Sequence, residues 1–281
     1  MSAVTESAPA KANLVLRVGG PTTAGMHPLC SLFARLDLAD EVVVEEAATD
    51  AVVCPGVSGR NLAARAVAAY REAAGGPAVV PPLCVTIAKR IPVAAGLGGG
   101  SADAAAALRG VAALTGHQVK PERLRDLARR LGSDVPSQLV PAHAVVGGEG
   151  ELVEPVNLAT MTLVLIPDPE GLSTAAVYRE IDRLRAAGEI PPGADLDPAA
   201  LHEVAALDAA GVAVALENEL QPAALRLRPD IAPRLAALRD GGALGAQVTG
   251  SGPTVFGIFD DRGAAEAAAA GLARAILCQT R

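Results

Sequence analysis

Apolar residues fall into short runs divided by glycine- and proline-rich punctuation, and the runs predict strands and helices in alternation. Residues 13–18 (Asn-Leu-Val-Leu-Arg-Val) form a strand pattern closed by Gly19-Gly20-Pro21, with Lys11 just ahead of it. Apolar segments at 32–38 and 41–46 follow, the second strand-like, so the chain opens on an antiparallel sheet rather than a strand-helix-strand unit. After a Cys54-Pro55-Gly56 turn, Asn61 caps a helix through Ala74 that stops at Gly75-Gly76-Pro77. Residues 83–88 make the next strand, with Lys89 and Arg90 at its end, and a glycine loop leads into a helix closed by Gly116. Pro121 opens a further helix and Gly132 closes it; Ser133-Asp134-Val135-Pro136 then reads as another helix start with a carboxylate in its first turn.

The second half continues the alternation. Segments 144–146 and 152–153 suggest a hairpin through Gly147-Gly148-Glu149-Gly150, and a break at 154–160 is the expected domain boundary. A strand at 161–166, a helix over about 173–187 and a Pro- and Gly-containing linker at 190–198 come next. Helices then cover much of 198–239. Strands at 244–248 and 255–259 flank a second glycine loop, Thr249-Gly250-Ser251-Gly252-Pro253-Thr254, and a helix over about 263–277 ends the pattern. The order predicts an α+β sandwich.

Composition narrows this. Of 281 residues 51% are hydrophobic, yet there is no Trp, with two Tyr and three Phe, so the core must be built from Ala, Val and Leu. A net charge of −7, with arginines scattered among carboxylates, argues against a nucleic-acid surface. Cys30, Cys54, Cys84 and Cys278 form no Cys-x-x-Cys pair and stand at no zinc spacing to His, which fits a reduced, cytoplasmic setting. Residues 1–10 lack signal-peptide character, and no apolar run approaches the roughly 18 residues of a membrane span. The expected partner is a small molecule.

Candidate chemistry concentrates at residues 91–108, Ile-Pro-Val-Ala-Ala-Gly-Leu-Gly-Gly-Gly-Ser-Ala-Asp-Ala-Ala-Ala-Ala-Leu. Glycines at 96, 98, 99 and 100 feed a bare backbone into the first turn of a helix, whose unpaired amides and positive dipole end attract an anion. The stretch reads as a phosphate cradle. It is not a Walker loop, because no Lys follows Gly100, and not a dinucleotide fingerprint, because Ser101 holds the third glycine position.

This loop resembles the phosphate-binding motif of the GHMP small-molecule kinases. The resemblance continues through Pro9-Ala10-Lys11-Ala12-Asn13-Leu14, Asn61-Leu62, Lys89-Arg90-Ile91-Pro92, Leu131-Gly132-Ser133-Asp134-Val135-Pro136, Gly171-Leu172-Ser173-Thr174, Asn218-Glu219-Leu220-Gln221 and the Thr249 loop. It implies a GHMP kinase fold: an ATP-binding domain at 1–157 like the second domain of ribosomal protein S5, and a ferredoxin-like domain at 158–281. It implies ATP phosphates over Gly96, Leu97, Gly98, Gly99, Gly100, Ser101 and Ala102, with Asn61, Leu62 and Lys89 lining the adenine site and Pro92 also among the ATP-binding residues. Mg²⁺ is expected with ATP, although no acidic cluster identifies its ligands.

Asp134 is implied as general base, paired with Lys11; its competing local role is a helix cap. The resemblance is strongest to members that phosphorylate a cytidyl-linked sugar alcohol. On that comparison His27 meets the cytosine, Tyr178 forms one aromatic wall, and Met26 stands where an aromatic is usual, packing a thioether against the base. Asn13 and Thr174 would contact the diphosphate or sugar, and Gly250, Ser251 and Gly252, with Thr254, would help enclose the sugar alcohol and the γ-phosphate. The alternatives are a GHMP kinase for mevalonate, homoserine or a sugar, and a nucleotide-binding regulator without turnover. A monomer or homodimer is expected.

Overall fold

The computed structural model describes residues 2–23, 25–57 and 59–281. In chain order the elements are β1 (Ala3–Val18), β2 (Leu29–Glu46), β3 (Ala51–Val53), α1 (Leu62–Ala74), β4 (Leu83–Ala88), α2 (Gly99–Thr115), α3 (Pro121–Leu131), α4 (Val135–Leu139), β5 (Ala144–Gly148) and β6 (Leu152–Pro155). They continue with β7 (Thr162–Ile166), α5 (Thr174–Ala186), α6 (Pro198–Ala205), α7 (Ala209–Val214), β8 (Glu217–Asn218), α8 (Gln221–Leu227), α9 (Ile231–Asp240), β9 (Gly245–Val248), β10 (Val255–Phe259), α10 (Arg262–Ala270) and β11 (Ile276–Gln279). Contacts divide the chain into two compact units, one of residues 1–10, 38–93 and 98–141, the other of residues 11–37, 94–97 and 142–281.

In the first unit β4 pairs antiparallel with residues 41–46 of β2, and β3 pairs parallel with β4. Small side chains do the packing: Ala102, Ala104, Ala105, Ala106 and Ala107 of α2 are buried with Ala63, Ala66 and Val67 of α1, beside Val42, Val44, Val85 and Ile87. Close approach is built in at Gly110, where a Cβ would stand 2.7 Å from Val44 Cγ2. The one large aromatic of this core, Tyr70, satisfies its hydroxyl by donating to His117 O at 2.6 Å. Local chemistry sets the helix ends. Asn61 Oδ1 accepts from Ala63 N at the start of α1, Gly75 ends it at φ 112, and Pro121 occupies the first turn of α3.

The second unit holds an antiparallel sheet in the order β11-β7-β10-β9. Its core joins Val164, Ile166, Val248, Val255 and Phe259 to Ile231, Leu235 and Leu238 of α9 and Ala265 of α10. Residues 15 and 16 of β1 pair parallel with β8, and residues 29–33 of β2 pair antiparallel with β5. Gln247 Nε2 donates to Asn13 O and Leu14 O, at 2.8 and 2.9 Å, tying β9 to β1.

Three stretches differ from the sequence pattern. The first strand begins at Ala3 rather than residue 13, and the two apolar segments after it are one continuous strand, β2. The last predicted helix stops at Ala270; Gly271 ends it, and Ile276–Gln279 pairs antiparallel with β7, because Cys278 finds its burial against that sheet. The strands β3 and β8 were not expected. No described helix is long and apolar enough to cross a membrane.

Candidate active site

Strand periodicity puts Lys11 and Asn13 on one face of β1. Lys11 is only 4% exposed: its Nζ donates to Asn13 Oδ1 at 2.7 Å and lies 4.9 Å from the centre of the Phe33 ring, a cation–π contact. The Asn13 amide is held in turn, since Nδ2 donates to Ser31 Oγ at 2.9 Å and Ser31 Oγ donates to Val15 O at 2.6 Å. Asn13 therefore orients the Lys11 ammonium from inside the protein.

Both glycine loops reach this lysine. The backbone N of Lys11 donates to Leu97 O at 3.0 Å, and Asn13 N donates to Thr249 Oγ1 at 3.0 Å. A Cβ on Gly96, whose φ is +76, would fall 2.9 Å from Gly252 O and 3.0 Å from Thr249 O, so only glycine lets the two backbones touch. A Cβ on Gly250 would lie 3.5 Å from both Lys11 Nζ and Asn13 Oδ1. The second loop keeps its shape through Asn218, whose Nδ2 donates to Val248 O and Gly250 O at 2.7 and 2.9 Å, and Gln221, whose Oε1 accepts from Val248 N at 2.9 Å. Ser251 Oγ and Thr174 Oγ1 share a hydrogen bond of 3.0 Å.

In the first unit Gly98 starts α2 in the left-handed region at φ 71, with no side-chain cap and no acidic residue in the first turn. No described side chain caps the amide end of this long helix; a Cβ on Gly100 would meet nothing within 4 Å, whereas one on Gly99 would lie 3.0 Å from Ile91 Cγ2 and 3.2 Å from Lys89 Nζ. That geometry fits a phosphate group. Ala102 is buried and Pro92 half-buried. Asn61, at the start of α1 beside Leu62, lines a cavity of about 320 Å³ with Val52, Ala64, Leu83 and Val85.

Lys89 stands between two carboxylates. Its Nζ lies 2.5 Å from Asp40 Oδ2 and 2.8 Å from Asp103 Oδ2, and the two aspartate side chains are 0% and 5% exposed. Asp40 Oδ1 also accepts from the backbone N of Arg90 and Ile91, at 2.5 and 2.8 Å. The cluster therefore fastens the chain entering the glycine loop, at 89–91, to the helix leaving it, at Asp103. Burial pushes the Asp103 carboxyl up to about 6 despite the opposing pull of Lys89. Burial works against the Lys89 charge as well, but its hydrogen bonds to Asp103 and Asp40 outweigh that and hold it above the ordinary lysine value. The Lys89 amine is committed to these aspartates.

Asp134 lies at the start of the short α4, yet its carboxylate makes no capping hydrogen bond, so the cap reading has no support in the geometry. Ser137 Oγ donates to the Asp134 carbonyl at 2.9 Å.

The remaining expected residues gather in the second unit. The His27 ring packs 4.9 Å from that of Tyr178, tilted by 54°, and His27 Nε2 lies 3.0 Å from both oxygens of Asp182. Met26, next to His27 in the chain, is 46% exposed. Asp182 follows Tyr178 by one helical turn on α5, so one helix face carries both. Sequence reasoning missed Asp182, Asp40, Asp103, Asn218 and Gln221 as supporting residues. The i,i+4 spacing from Tyr178 was the one signal available for Asp182, and Asn218 and Gln221 lay in a segment noticed only as a resemblance.

The sequence matches the GHMP kinases N terminal domain over residues 61–142 and the GHMP kinases C terminal domain over residues 199–276. The chain belongs to the GHMP kinase family, with its two-domain fold, and is a small-molecule kinase. Its relatives include the 4-diphosphocytidyl-2-C-methyl-D-erythritol kinase of Streptomyces coelicolor, 42% identical over 275 residues that cover 94% of this chain and 91% of the relative. The Streptomyces avermitilis protein of the same name is 39% identical over 289 residues, covering 99% and 95%. A crystal structure of 4-(cytidine 5'-diphospho)-2C-methyl-D-erythritol kinase is 35% identical, with 98% of each chain covered and a TM-score of 0.80.

Proposed function

We infer that the chain transfers the γ-phosphoryl group of ATP to the 2-hydroxyl of 4-diphosphocytidyl-2-C-methyl-D-erythritol, a step of non-mevalonate isoprenoid precursor synthesis. The observation that carries this reading is the meeting of both glycine loops at Lys11, the first at its backbone N and the second beside its ammonium, in a chain alike over nearly its whole length to kinases of that name. The uncapped amides at the start of α2 would hold the ATP phosphates. Asn61 and Leu62 would border the adenine, and Lys89 would support the loop through Asp40 and Asp103. Mg²⁺ would be held mainly by phosphate oxygens, since the described residues include no cluster of metal-ligating side chains.

In the proposed reaction Asp134 accepts the proton of the attacking hydroxyl as the new O–P bond forms and ADP leaves, and Lys11 offsets the charge on the transferring group. Asn13 holds Lys11 in place. Ser251, Gly250, Gly252 and Thr174 would border the sugar diphosphate, and His27, Tyr178 and Met26 the cytosine. We propose further that the ATP-binding work falls to residues 1–157 and the rest of the fold to 158–281. A cytoplasmic monomer or homodimer fits this reading.

The test is ADP release from ATP and Mg²⁺ with a panel of alcohols: the cytidyl substrate, mevalonate, homoserine and a sugar. Strong preference for the first is expected. Equal turnover of another alcohol would overturn the substrate assignment, and nucleotide binding without turnover would leave a non-catalytic regulator. Lys11→Ala and Asp134→Ala should each lower kcat by about 10²-fold or more while circular dichroism stays unchanged. Near-full activity in Asp134→Ala would remove Asp134 as the base.

A further inference from the structure

We propose that Asp182 is a positioning residue for base selection: it fixes the His27 ring so that Nδ1, as a hydrogen-bond acceptor, meets the exocyclic amino group of a cytosine. This rests on the cytidyl-alcohol reading above. His27 Nε2 lies 3.0 Å from Oδ1 and 3.0 Å from Oδ2 of Asp182, a centred contact rather than a glancing one. An ionised carboxylate only accepts hydrogen bonds, so Nε2 carries the hydrogen, and a neutral imidazole protonated there keeps its lone pair on Nδ1. The contact also decides which way the ring faces, because a flip would carry Nε2 away from the carboxylate. Tyr178, one turn earlier on α5, packs against the same ring at 4.9 Å.

Among the described residues nothing hydrogen-bonds His27 Nδ1, and that nitrogen is assigned to the ligand. The imidazole side chain as a whole is only 8% exposed, which makes the direction of that one nitrogen decisive. Cytosine presents an amino donor to such an acceptor. Uracil presents a carbonyl oxygen at the same place, and two acceptors facing each other in a half-buried site leave both unsatisfied. Asp182 thereby acts on selectivity through His27, without touching the base.

Asp182→Ala and the conservative Asp182→Glu test this with two readouts. In the first, ¹⁵N NMR of the His27 imidazole should report a protonated Nε2 and a bare Nδ1 in the unaltered protein and in Asp182→Glu, with averaged nitrogens in Asp182→Ala. In the second, the preference for the cytidyl substrate over its uridyl counterpart should fall about tenfold or more in Asp182→Ala, through KM for the cytidyl substrate, with kcat changed by less than about threefold and with recovery in Asp182→Glu. An unchanged preference in Asp182→Ala, or a proton on Nδ1 of the unaltered protein, overturns the proposal. If the unaltered protein turns over neither nucleotide-linked alcohol, the functional reading fails on its own. The NMR arm then still decides what Asp182 does, since an unchanged nitrogen pattern in Asp182→Ala overturns its role on the ring.

Discussion

Lys89→Met removes the cation from between Asp40 and Asp103 while keeping an unbranched stem of similar length. In the folded unit Nζ lies 2.5 and 2.8 Å from carboxylates that are 0% and 5% exposed. Deleting one partner of a buried ion pair costs about 3–5 kcal/mol, because the remaining charge is stranded away from water. Here the cost has a limit. Asp103 is already pushed up to about 6 with Lys89 beside it and rises further once the cation is gone, so it takes up a proton and leaves a single charge on Asp40. That charge keeps its backbone donors at Arg90 and Ile91, at 2.5 and 2.8 Å. The expected loss is about 3–4 kcal/mol near pH 8 and about 1 kcal/mol less near pH 5.5, where protonating Asp103 is nearly free. Adding Asp103→Asn should recover about 1–2 kcal/mol near pH 8, because a neutral amide removes the cost of protonating Asp103 at that pH.

Equilibrium urea unfolding measures this directly, followed by far-ultraviolet circular dichroism because the chain has no Trp. The expected loss is a large part of a typical total of about 5–15 kcal/mol. A loss below about 1 kcal/mol, equal at both pH values and untouched by Asp103→Asn, would refute the reasoning.

Gly96→Ala puts a Cβ 2.9 Å from Gly252 O and 3.0 Å from Thr249 O at φ +76, so about 1–2 kcal/mol of left-handed strain adds to displacement of the two loops at Lys11. Activity should fall at least about tenfold, a larger effect than the drop in Tm would explain, and kcat/KM near the unaltered value would refute the close approach. Asp103→Asn alone tests the pH dependence of stability. With its folded value raised from 3.8 to about 6, Asp103 contributes stability that is complete below about pH 3.8 and lost as pH rises through about 6. Relative to the Asn variant, the unaltered protein should therefore weaken over pH 4–7 by on the order of 2–3 kcal/mol at most; parallel urea-stability curves across that range would contradict it.

What the sequence by itself determined is what short-range chemistry controls. Asn61 and Gly75 bound α1, Pro121 and Gly132 bound α3, and the glycines at 96–100 with the alanines after them mark a loop entering a helix; each signal acts within a few residues of its effect. The family was legible for the same reason, since its phosphate loop is one continuous stretch.

Only the tertiary structure decided the rest. The early start of β1 and the strand at Ile276–Gln279 depend on pairing partners distant in the chain, and no local pattern separates Cys278 in a strand from Cys278 in a helix. Asn13 meets Thr249 across 236 residues, His27 meets Asp182 across 155, and Lys89 meets Asp40 across 49. A single sequence shows that such groups exist, but bringing one charge or one lone pair to face another is the work of the packed chain. For that reason the glycine loop could be read letter by letter, whereas the residues that orient Lys11 and His27 and brace the loop appeared only when the strands and helices were in place.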